Sequence, residues 1–112
     1  MNARDPNLPL QADEASALAD FATRAWDERI VPALTEYIAI PAKSPMFDAD
    51  WAQHGHLDRV VRDAAAWVEG RKVPGLKLEV VRLPGRTPVI FFEVAARGSA
   101  ATDTVLLYGH LD

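Results

Sequence analysis

Thr104-Val105-Leu106-Leu107-Tyr108, followed at once by Gly109-His110-Leu111-Asp112, is the stretch that decides the fold class. Its apolar run is continuous rather than alternating, which predicts a strand covered on both faces, as in a layered α/β domain. Upstream lie residues 97 to 103, a polar loop, and before it two β-rich runs. Leu76, Leu78 and Val80 alternate with Lys77 and Glu79, and the doubled Val80-Val81 predicts a bulge or phase shift. Val89-Ile90-Phe91-Phe92-Glu93-Val94 follows the turn-rich Pro84-Gly85-Arg86-Thr87-Pro88, so the two runs are expected to pair as a hairpin spanning 76 to 94.

Two amphipathic helices are predicted ahead of the hairpin. Leu18, Ala22, Trp26, Ile30, Leu34 and Ile38 recur at every fourth position, with Phe21, Ala25 and Tyr37 beside them. Pro32 lacks an N–H and crowds the preceding turn, so a kink or break is expected there, and Pro41 ends the helix. Leu57, Val60, Val61, Ala64 and Val68 form the apolar face of the second helix, with Asp58–Arg62 and Arg59–Asp63 as spaced ion pairs on its wet side and Gly70 as its stop. The connection between them, 41 to 55, is rich in Pro, Ser, Asp and Gly and is anchored by Met46, Phe47 and Trp51. Two helices, a hairpin and a central strand give an α/β class with an incomplete sheet.

Composition narrows the function. About half of the 112 residues are hydrophobic, enough to bury a core. The formal net charge of −4 offers no basic face for phosphates, so nucleic acid is not an expected partner. The absence of Cys removes disulfides, thiolate metal sites and a Cys nucleophile. Neither a secretory leader nor a run near the roughly 20 apolar residues of a membrane span is present, which leads us to expect a cytoplasmic protein with no membrane partner.

Ligands of open α/β sheets gather beyond the carboxyl ends of strands, where residues 109 to 112 stand. On an extended backbone His110 and Asp112 project to one side and Leu111 to the other. A neutral imidazole binds zinc through one nitrogen while a carboxylate accepts the other N–H, which suits His110 as ligand and Asp112 as its orienting partner. Taken as a bare pattern, His-x-Asp also describes a hydrogen-bonded His at a strand end.

A wider set of motifs adds to this pair. Leu34-x-x-Tyr37-Ile38-Ala39-Ile40-Pro41, Lys43-Ser44-Pro45, Phe47-Asp48, Trp51, His54-Gly55-His56-Leu57, the 82 to 88 turn and Val105-Leu106-Leu107-Tyr108-Gly109-His110-Leu111-Asp112 resemble the start of metallopeptidase family twenty. That family includes dipeptidases, carnosinases, glutamate carboxypeptidases and N-acyl amino acid deacylases. The resemblance covers nearly everything from Trp26 onward. It implies a partial three-layer α/β/α sandwich of the zinc-peptidase type, with 1–112 the N-terminal part of the catalytic domain and with the rest of that domain and an inserted dimerisation domain lying downstream. It implies a dinuclear zinc enzyme, homodimeric as a parent protein, that hydrolyses the amide bond of dipeptides or N-acyl amino acids. His110 would be a ligand of one zinc ion and Asp112 the adjacent catalytic-site acid, while the general base and remaining ligands come from downstream. The isolated chain is then expected to be inactive. The rival reading is a non-catalytic α/β binding or structural module.

Other residues are read more plainly. His54 and His56 lie just ahead of the second helix, with an ordinary role in its entry rather than as metal ligands, and Asp48 and Asp50 cap that helix or the turn before it. Ser44 is a turn residue, lacking the surroundings of a nucleophile. Trp26, Trp51 and Trp67 are expected to pack in the core. Arg82 and Arg86 are expected to flank a solvated turn.

Overall fold

The computed structural model describes residues 9–98 and 103–112. Of the polar loop expected over 97 to 103, residues 99 to 102 lie outside the described residues. The chain divides into two units, Met1–Ala39 and Ile40–Asp112.

The first unit is helical. Helix α1 (Ala12–Ala25) opens at Gln11, whose backbone N–H donates to the Glu14 carboxylate at 2.8 Å. Asp13 and Glu14 in its first turn and Arg24 in its last complement the helix dipole. A π-helical stretch, Trp26–Ile30, then leads into α2 (Val31–Ile38). This is the form taken by the break expected at Pro32. Val31 N–H reaches back to the Trp26 carbonyl, five residues away, so the ladder widens where proline supplies no donor. No residue of these helices is buried. Trp26, expected in a core, is 52% exposed, because a lone helix has no second layer to pack against within its unit.

The second unit holds the core: Ile40, Leu57, Val60 and Val61. A short helix α3 (Trp51–His54) ends at Gly55, whose φ of 72° turns the chain directly into α4 (His56–Gly70). Leu57, Val60 and Val61 are the buried face of α4, and Ala64 and Val68 continue it half-buried. The helix stops at Gly70 as expected, but the glycine does not make the turn. Gly70 is the last helical residue, and the left-handed residue that turns the chain away is Lys72, at φ 50°. Trp67 is not in the core either: 40% exposed, it lies beneath the Arg71 guanidinium, 4.5 Å from the ring centre. Trp51 is half-buried.

Strands β1 (Leu76–Val81) and β2 (Val89–Val94) pair antiparallel from Leu76↔Val94 to Val81↔Val89. The register runs unbroken, so the bulge expected at Val80-Val81 is absent; one partner opposite each residue leaves no room for an extra one. Leu76, Leu78 and Val80 are half-buried and Lys77 and Glu79 exposed, the alternation of a sheet with one covered face. Arg59 and Asp63 pair at 3.6 Å as expected, but Asp58 is engaged by Arg82 rather than Arg62, tying the end of β1 to α4. The described residues are thus mixed α and β, with a two-stranded sheet.

The strand expected over 104 to 108 is not formed. These residues take no regular structure, and Val105 to Tyr108 are 83–87% exposed. A strand exists only through hydrogen bonds to a neighbour, and no described segment offers that pairing.

Candidate functional site

The side chains of Tyr108, His110 and Asp112 nevertheless meet on one side, as expected for alternate residues. His110 Nδ1 lies 3.1 Å from the Asp112 carboxylate, and its Nε2 lies 2.9 Å from the Tyr108 hydroxyl. The Tyr108 and His110 rings meet edge to face at 5.2 Å. One consistent assignment has Nδ1–H donating to Asp112 and the tyrosine O–H donating to Nε2, which leaves the Nε2 lone pair as the basic atom. His110 is 69% exposed and Asp112 26%, while Leu111 is half-buried. The donor chemistry fits one zinc ligand with its orienting carboxylate. The described residues contain no group of three or more His, Cys, Asp or Glu able to hold a metal ion, so this pair is at most part of a centre.

Tyr108 is a contact the sequence reading missed, although its i−2 spacing from His110 on an extended chain contained the signal. A second missed pair is Asp48 and His54. His54 Nδ1 lies 2.8 Å from one Asp48 oxygen, and the other accepts the Asp50 N–H at 3.2 Å. Asp48 therefore caps the turn before α3, as expected, and also grips a histidine read only as part of a helix start. His54 and His56 sit with ring centres 5.9 Å apart. With Pro41, Lys43, Phe47 and Asp48 they line a recess of about 230 Å³. The hydrogen bond from His54 holds the Asp48 carboxyl below its usual range; burial opposes it, and the His54 charge adds a smaller lowering effect. The same hydrogen bond and the Asp48 charge push His54 upward.

Ser44 is a turn residue in structure: its carbonyl accepts the N–H groups of Phe47 and Asp48 at 2.9 and 3.1 Å. Arg82, with Asp58, borders a groove between α4 and β1 floored by Val61, Ala65, Ala66 and Val80. No helix among the described residues is long and apolar enough to cross a membrane. No family model matches the chain, and no match to a curated protein was found.

Proposed function

We propose that the chain is the N-terminal part of the catalytic domain of a dinuclear zinc hydrolase that cleaves the amide bond of dipeptides or N-acyl amino acids. The observation that carries the reading is the His110–Asp112 contact at 3.1 Å, which engages Nδ1 and leaves Nε2 as the atom for a metal. The resemblance to metallopeptidase family twenty supplies the substrate class and the second ion. When bound, the two zinc ions activate a water and polarise the scissile carbonyl. The work of this chain is to orient: Asp112 fixes the tautomer and rotation of His110, and their two-residue spacing keeps both side chains together. Tyr108 must release Nε2 before a metal can take it, since one lone pair serves one partner.

The same reading supplies a partner for residues 104 to 108, which become the next strand of a three-layer α/β/α sandwich in the cytoplasmic, homodimeric parent. An apolar run more than four-fifths exposed supports such burial, because contiguous exposed apolar surface marks an interaction site. The test is hydrolysis by the full-length parent polypeptide of a panel of dipeptides and N-acyl amino acids, with and without a chelator. Chelator-sensitive release of free amino acids is the expected result. A parent inactive on the whole panel when loaded with zinc would favour a non-catalytic module.

A further inference from the structure

We propose that Asp48 and His54 form a pH-sensitive clasp that holds the 41–50 loop against the corner between α3 and α4 and so sets the mouth of the recess lined by Lys43, Phe47 and His56.

The geometry is that of a closure. Asp48 uses both carboxylate oxygens, one on the backbone of Asp50 and one on the imidazole of His54. Its side chain is 14% exposed although His54 is 51% exposed, so the carboxylate is the enclosed member and the imidazole the member open to protons from solvent. The loop is folded on both sides of it, through Phe47 N–H and Asp48 N–H to the Ser44 carbonyl and Trp51 N–H to the Asp48 carbonyl. Beyond His54 the chain turns at Gly55 in a left-handed conformation, φ 72°, which makes the corner between α3 and α4. The side-chain link from Asp48 to His54 therefore spans the loop and the corner.

The charged and titratable groups facing His54 among the described residues are Lys43 and Asp48 from the loop, Asp50 at the start of α3 and His56 from α4. Protonated His54 and Lys43 balance the two aspartates; a neutral His54 leaves the carboxylates in excess. Because its pKa is raised, His54 contributes stability that is complete below about pH 6.5 and is lost as pH rises through the folded value. Because its pKa is lowered, Asp48 contributes stability that is present above about pH 3.8 and is lost as pH falls through the folded value. The clasp is tightest between those limits. Above the His54 titration a neutral imidazole still donates to the ionised carboxylate, without the added attraction of its own positive charge.

Proton and amide NMR of the full chain across pH 3 to 9 tests this. His54 is expected to titrate above the ordinary histidine range, and Asp48→Asn, which keeps an acceptor for the Asp50 N–H, should return it to that range. At pH 6 the Asp50 and His54 amides should be several-fold less protected in Asp48→Asn than in the unaltered chain, and the gap should narrow as pH rises to 9. His54→Gln retains a donor without the charge and should show the high-pH protection at every pH above the Asp48 titration. An His54 titration indifferent to Asp48→Asn, or a loss of protection the same at pH 6 and pH 9, would overturn the clasp.

Discussion

Two β-rich runs of the second unit meet opposite fates. Val89–Val94 is paired residue for residue with Leu76–Val81, whereas 104 to 108, no less apolar, has Val105 to Tyr108 almost fully exposed. The difference lies in what stands within reach. Residues 82 to 88 close on a turn in which Gly85 adopts φ 70° and Arg86 N–H reaches the Leu83 carbonyl at 3.1 Å, so β2 meets β1 at small entropic cost. Among the described residues the later run pairs with neither edge of the β1–β2 sheet. Its uninterrupted apolar pattern also specifies no single buried face, as the alternation of β1 does. Apolarity shows that a segment seeks burial; the turn chemistry decides whether it is satisfied locally.

The largest expected effect separates satisfied from unsatisfied apolar residues. Leu57→Ala, at a side chain 5% exposed, should lower stability by about 2–5 kcal/mol. Leu107→Ala, at one 87% exposed, should change it by less than about 0.5 kcal/mol. Urea denaturation of the two variants measures both, and equal losses would break the contrast. Gly85→Ala should move β2 towards the fate of 104 to 108. A Cβ there meets nothing within 4 Å, so the cost is conformational alone, about 1–2 kcal/mol for a left-handed alanine. It would be read as faster amide exchange along the β1–β2 ladder, with α4 less affected. The smallest effect belongs to the wet side of α4: Asp63→Ala removes the Arg59 and Arg62 contacts at 3.6 and 3.7 Å and should cost about 0.3–0.5 kcal/mol, fading as salt is raised in a thermal melt.

What was legible in the sequence follows the same division. The hairpin and the buried face of α4 are written in local periods, and both are found. The π-helical stretch was half legible. Steps of four overshoot an α-helical turn by about 40°, so a stripe from Leu18 to Ile38 drifts steadily unless a wider turn absorbs part of the drift. Pro32 marked the place but not the form. Lys72 as the left-handed residue was hidden because Gly70, two residues earlier, is the more usual choice. Arg82–Asp58 and Asp48–His54 join residues 24 and 6 apart, separations that belong to no helix or strand period and arise only once the chain has folded. His110–Asp112 was readable because alternation on an extended chain is itself local.

The central claim, that His110 is a zinc ligand oriented by Asp112, is tested most directly by calorimetric zinc titration and metal analysis of the full-length parent polypeptide beside its His110→Ala and Asp112→Ala variants. We predict that His110→Ala loses one first ligand, and with it bound zinc and amidase activity, while Asp112→Ala weakens zinc binding by roughly tenfold to a hundredfold. A His110→Ala protein that keeps its zinc content and its amidase activity would contradict the account.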